Sequence, residues 1–275
     1  MRPFFSIIVV CLNPGEKLRA TLESIEKQSF LDYEVIIKDG FSADGSLACI
    51  PEILPSAILI QEKDTGIYDA MNQAANKAAG RYIYYLNCGD LFFSENVLGE
   101  MADFIKKSSA YEKQKPGIYY GNIFERQTRQ QVASNPKIDA FGCYRNVPCH
   151  QACFYSRELL LEHPFETRYK VRADYEQFLW CFFKGIKDEG SFFAYIDMIV
   201  ADYEGGGFSE TKENRKVSAT EHKEITGKYM TGFQRLKYKT LLLLTLAPLR
   251  TYLAESEKTA GFYNKLKECL YARRG

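Results

Sequence analysis

SIIVVCLNPGEKLRATLESIEKQSFLDYEVIIKD, Ser6 to Asp39, sets the fold. Ile7 to Val10 form a short, continuous, β-branched run, the mark of a buried strand. A polar turn with Pro14 and Gly15 follows. Leu18, Leu22 and Ile25 then recur at helical spacing. YEVIIKD is a second apolar run, so the segment reads strand, helix, strand. Outward from there, SADGSLACIPEIL predicts a short helix, AILIQEKD a third strand, and IYDAMNQAANKAAG an Ala-rich helix closed by Gly80 as its C′ residue. RYIYYLN predicts a fourth strand. This alternation implies an α/β fold with a mostly parallel sheet and helices on both faces.

The second half changes character. GIYYGNIFER and RQQVAS predict antiparallel strands, and HQACFYSRELLLE a strand then a helix. ADYEQFLWCFFKG predicts a helix, and FFAYIDMIVADYEGGGFS a long strand ending in the glycine loop Gly205–Gly207. From Phe233 onward nine Lys or Arg face three Glu, with apolar residues between them. This predicts a basic amphipathic helical tail suited to an anionic membrane surface. A tail that packs on the domain and keeps its cations in water fits the same pattern.

The chain of 275 residues is 46% apolar and 26% charged, with net charge +1, which describes a globular protein and not a dedicated nucleic-acid binder. The longest apolar run, LLLLTLAPL, falls short of the ~20 residues a spanning helix needs. The N-terminus reads as a strand, not as a signal peptide. Eight irregularly spaced cysteines imply reduced thiols in the cytoplasm. Cys143, Cys149, His150 and Cys153 lack the paired spacing of a zinc site.

Ligands of such sheets bind outside the carboxyl ends of the strands. Those ends carry Leu12 and Asn13, Asp39, Asp64, and the turn Asn87-Cys88-Gly89-Asp90. Turn and cap chemistry explains any one Asp there. Three on one rim repel each other unless a cation or a donor-rich ligand lies among them.

The Ser6–Asp39 stretch, continued to GFSADGS, resembles the opening of family 2 glycosyltransferases, which have the nucleotide-sugar-binding GT-A fold. EKDTGIYDAMNQAANKAAGRYIYYLNCGD resembles more narrowly a bacterial surface-polysaccharide subgroup, similar to colanic acid biosynthesis glycosyltransferases. HQACFYSRELL, ADYEQFLW and YEGGGFS follow in the subgroup's order, so the likeness covers residues 4 to 220.

The resemblance implies an inverting transferase. It would move a sugar from a nucleotide diphosphate donor, UDP favoured, onto a lipid-linked glycan at the inner face of the cytoplasmic membrane. Asn13, Asp39, Asp64 and Gly66 would hold the donor, with Asp39 facing the base. Asp90 would hold Mg2+ or Mn2+ on the diphosphate, and Gly89 would let phosphate and metal approach the strand end. The turn lacks the second carboxylate of the usual DxD motif. Asp174, at a helix N-terminus, matches the family's catalytic base. Tyr68, Asp69 and Asn72, on one helix face, either line the site or cap and brace the helix. His150 and Gln151 match a polar pair near the acceptor. Trp180, with Phe178, Phe182 and Phe183, reads as core. The expected division is a catalytic domain 1–232, with a nucleotide half 1–92 and an acceptor half 93–232, and the tail 233–275. The alternatives are a catalytically impaired nucleotide-sugar-binding or scaffold protein of this fold, and a nucleotidyltransferase. The turn CLNPGEK lacks the Gly-rich basic loop the latter needs.

Overall fold

The structure is a computed structural model, described here for residues 2–186, 190–205 and 211–244. Its contacts divide the chain into Met1–Ile225 and Thr226–Gly275. The first unit is built on a nine-stranded sheet. In chain order the strands are β1 (Phe5–Cys11), β2 (Tyr33–Asp39), β3 (Ile58–Gln61), β4 (Tyr82–Tyr85), β5 (Leu91–Phe92), β6 (Gly117–Glu125), β7 (Gln130–Val132), β8 (Cys153–Ser156) and β9 (Phe192–Tyr203). Their spatial order is β3-β2-β1-β4-β8-β6-β9-β5, with β7 paired to β6.

The first four strands are wholly parallel: β1 lies between β2 and β4, and β3 extends the edge, while the short β5 runs antiparallel to β9. β8 then runs antiparallel to both β4 and β6, while β6 and β9 are parallel. The long helices Glu16–Glu26 and Ile67–Lys77 cross between the first four strands. The expected short helix is a 3-10 turn, Ser46–Cys49, leading into Ile50–Ile53. The strands' apolar runs give a core that includes Phe5, Ile7, Val9, Leu22, Ile37, Tyr82, Tyr84 and Phe154. Tyr84 stacks between Phe154 and Phe92, at 4.4 and 5.1 Å between centroids.

Gly80 has a different reason from the one its position suggests. The helix ends at Lys77, and Gly80 lies against β1, where an added methyl would meet the Ser6 nitrogen at 2.5 Å. Close strand approach requires glycine there, not a helix cap. Trp180 is half-buried and stacks on His163 at 4.6 Å, while Phe178 is fully buried.

In the second unit, the helix Gly232–Leu244 exposes Phe233, Leu236, Leu243 and Leu244. Arg235, Lys237 and Lys239 share this helix. Most of the expected tail, residues 245–275, lies outside the described residues. No described helix is long and apolar enough to cross a membrane.

Candidate active site

The site lies at the carboxyl ends of β1, β2, β3 and β4, as sheet topology dictates. Its donor rim is knitted by short polar side chains. Asp39, fully buried at the end of β2, accepts the Ser42 N–H at 2.9 Å, the Ser42 hydroxyl and Gln61 Nε2 at 3.2 Å. Burial pushes its carboxyl up, but these bonds outweigh that and hold it below the usual value. Asn13 takes a left-handed backbone, φ 47°; its N–H donates to Ser42 Oγ, and its Oδ1 accepts the Ala43 N–H. Asp64 pairs with the fully buried Lys38 at 2.9 Å and accepts the Gly66 N–H. Lys38, which the sequence did not single out, also donates to the carbonyls of Glu62 and Asp39. Leu12 and Phe41 stand exposed on this rim.

The turn 87–90 is set deeper. Thr21, buried on the helix Glu16–Glu26, accepts the Gly89 N–H and donates to the Asp90 carbonyl, both at 2.9 Å. Thr21 precedes Leu22 on the buried face, a position that periodicity alone assigns to packing. Asp90 is 3% exposed. Its Oδ1 accepts the Glu204 N–H at 2.9 Å and its Oδ2 accepts Gln151 Nε2 at 3.0 Å. Burial raises this carboxyl above its usual value.

Asp174 heads the helix Ala173–Phe183. Its Oδ1 lies 2.9 Å from the Tyr68 hydroxyl, whose single proton is shared with the Val171 carbonyl. Its Oδ2 lies 3.3 Å from His150 Nδ1. Burial pushes the Asp174 carboxyl up; the bonds from His150 and Tyr68 overcome this and lower it. Asn87 Nδ2 is 3.0 Å from His150 Nε2. With that amide donating, the imidazole proton sits on Nδ1 and points at Asp174.

His150 and Gln151, adjacent in the 3-10 turn His150–Ala152, therefore each hold one carboxylate: Asp174 and Asp90 respectively. Asp69 and Asn72 take the bracing alternative. Asp69 turns back to cap Thr65, accepting its N–H and hydroxyl, and Asn72 spends its amide on the Phe165 backbone. Of that trio only Tyr68 reaches Asp174.

Gly89 also has a close neighbour across the turn. Its φ is 103°, and what lies over it is the Glu204 carboxylate, 2.6 Å from where a methyl would stand. Glu204 was legible only as part of YEGGGFS. Glu221 was missed altogether. Its carboxylate accepts the N–H groups of Lys170, Val171 and Arg172, at 2.7, 3.1 and 2.9 Å, and so fixes the segment entering the Asp174 helix.

A cavity of about 220 Å3 joins Tyr68, Asn87, Asp90, His150, Gln151, Lys170 and Glu204. A second, of about 400 Å3, borders it along Ile67, Tyr68 and Lys170. The turn suits a hard divalent cation. Its side chains offer oxygen donors, and the Asn87 Oδ1 is buried with no hydrogen-bond partner among the described residues. A separate cluster, His163, Glu166 and Glu176, brings possible ligand atoms within 4.8 Å of one another and excludes Asp90. There His163 pairs with the buried Glu176 at 2.8 Å.

Residues 6–186 match the family described as Glycosyl transferase family 2. A PGL/p-HBAD biosynthesis glycosyltransferase of Mycobacterium bovis is 33% identical over 215 residues, covering 76% of this chain and 80% of that protein. Among solved structures, S. aureus TarS 1-349 in complex with UDP superposes with a TM-score of 0.58 at 18% identity, over 79% of this chain. This chain spans under two thirds of that one, 64%. Glucosyl-3-phosphoglycerate synthase from Mycobacterium tuberculosis, in complex with Mn2+, UDP and phosphoglyceric acid, superposes at 0.56 with 15% identity. The match covers 81% of this chain and 78% of that one. At these identities the two structures show a shared fold.

Proposed function

The chain belongs to glycosyl transferase family 2, and from that premise we propose that it transfers a sugar from UDP to a glycan acceptor with inversion. The acceptor is lipid-linked and serves bacterial surface polysaccharide. One observation carries the reading: the adjacent His150 and Gln151, which line one cavity, bond two carboxylates from distant parts of the chain, Asp174 and Asp90; Asp90 lines that cavity, and Asp174 lines the neighbouring one, of about 320 Å3, which meets it at Val171.

The donor's nucleoside lies on the rim formed by Asn13, Asp39, Asp64 and Gly66. Asp39 shapes the 40–46 loop that receives the base, because both its oxygens are already bonded within that loop and to Gln61. The diphosphate lies toward the turn 87–90. When bound there, Mg2+ or Mn2+ neutralises charge on the departing diphosphate. Asp174 acts on the other side. Ionised at neutral pH, it takes the proton of the acceptor hydroxyl. The hydroxyl oxygen bonds to the anomeric carbon, the bond to the diphosphate breaks, and its electron pair leaves with the diphosphate oxygen. Attack opposite the leaving group inverts the anomeric centre. Tyr68 and His150 hold Asp174 in place for this. The exposed Lys170, bordering both recesses, meets an anionic group of the acceptor.

The helix Gly232–Leu244 supports a peripheral position on an anionic membrane surface through its exposed leucines and its cations. The test is a screen of nucleotide sugars for thermal stabilisation, with and without Mn2+, followed by transfer assays with the donor that binds. A shift with one UDP-sugar, and transfer lost in Asp174→Asn while that shift remains, is the expected result. The impaired-binder alternative predicts binding with no transfer by the unsubstituted protein. No shift with any nucleotide sugar sinks the reading.

A further inference from the structure

The turn 87–90 offers one carboxylate, and that carboxylate is almost closed. Asp90 is 3% exposed, with Oδ1 taken by the Glu204 N–H and Oδ2 by Gln151. A cation arriving from solvent meets a different acid first. Glu204 follows β9, its side chain is 37% exposed, and it borders the same cavity. Its carboxylate lies over Gly89, in space that any side chain at position 89 would fill.

We propose that Glu204 is the second carboxylate ligand of the divalent-cation site begun by Asp90, supplying from the end of β9 the acid that Asn-Cys-Gly-Asp lacks. This rests on the transferase reading above. Three observations carry it. The Glu204 peptide N–H holds Asp90 Oδ1, so the backbone that places one carboxylate also fixes the other. A cation already sits on Glu204: Lys17 Nζ lies 2.8 Å from both Oε1 and Oε2. That pair is solvent-exposed and therefore weak, so it exchanges readily. Finally, Asn87 borders the same cavity, and its buried Oδ1 has no partner among the described residues. Two carboxylates and an amide oxygen form an all-oxygen set, which selects Mg2+ or Mn2+ over softer ions. Lys17 then competes with the divalent cation for Glu204.

That competition makes the assignment testable apart from catalysis. Mn2+ is titrated into the full-length protein with and without UDP, and free Mn2+ is read by electron paramagnetic resonance. Unsubstituted protein, E204Q, K17A and D90N are compared at matched melting temperature. Even outer-shell partners of a metal carry about 10- to 100-fold in affinity, so E204Q weakens Mn2+ binding by about tenfold or more. K17A, which frees Glu204, tightens Mn2+ binding in the nucleotide-free arm. A Glu204 that serves only as a strut for Lys17 leaves Mn2+ affinity unchanged in both variants, and that outcome overturns the proposal. So does unsubstituted protein that binds no Mn2+ in either arm. UDP binding by calorimetry on the same samples separates the two levels. Intact UDP binding with Mn2+ affinity lost only in D90N removes Glu204 and leaves the transferase reading standing. Absent UDP binding throughout removes that reading itself.

Discussion

At the scale of single residues, the proposed chemistry rests on how two carboxylates are held. Asp174 is lowered despite burial, because His150 and Tyr68 donate to its ionised form. A base with a lowered pKa stays ionised as pH falls, so kcat is flat through neutrality and declines only below the usual carboxylate range. Replacing His150 with Leu removes a donor, raises that pKa, and moves the acid limb of the pH–rate profile to higher pH. Folding follows the same sign. Asp174 contributes stability above its unfolded pKa, and that contribution is lost as pH falls through the lowered folded value. Asp174→Asn removes the base and lowers kcat by roughly 10²- to 10⁴-fold, while UDP binding, read by calorimetry, persists. Gly89→Ala forces φ 103° on a residue with a side chain and displaces the Glu204 carboxylate. The backbone strain costs about 1–3 kcal/mol, which differential scanning calorimetry reads as a melting temperature lower by several degrees.

At the scale of elements, the helix Lys212–Tyr229 presents Glu221, whose carboxylate gathers the three N–H groups just before Asp174. Helix starts leave such groups without intrahelical partners, and a carboxylate there also suits the helix dipole. Glu221→Ala strands them in a buried place. The expected cost is roughly 2–4 kcal/mol, or a melting temperature about 5–15 °C lower. Transfer falls further than the loss of folded protein explains, since the base helix loses its anchor. The conservative Glu221→Gln keeps two of the acceptor sites and recovers part of both losses. Measuring kcat per mole of folded protein distinguishes the two effects.

At the scale of the whole molecule, the question is where the protein works. The helix Gly232–Leu244 keeps large apolar side chains in solvent beside three cations. Co-sedimentation with vesicles containing phosphatidylglycerol is the direct check. Binding that weakens with salt, and that is lost in the double substitution L243S and L244S without change in UDP affinity, is the expected outcome. Equal binding to neutral vesicles removes the electrostatic part of the argument.

Periodicity made the nucleotide half legible. Short β-branched runs alternating with 3.6-residue spacing leave few arrangements besides a parallel sheet, and the rim at its strand ends follows from topology. Asp39, Asp64 and Asp90 stood out because acids at strand ends are conspicuous locally, and Asp174 because it falls in a motif that resembles the family's. Side-chain partners did not follow from the same signal. Asp69 and Asn72 share the spacing of Tyr68, yet each found a backbone group to brace. Local sequence fixes where a side chain departs, while the groups that meet it come from remote segments. Thr21, Glu204 and Glu221 carry no local mark of function for that reason. Sequence by itself determined the parallel first four strands and the family, and singled out the carboxylates. Only the tertiary structure decided that His150 and Gln151 orient those carboxylates and that Glu204 lies over Gly89, because hydrogen bonds act over about 3 Å and chain order does not encode such distances.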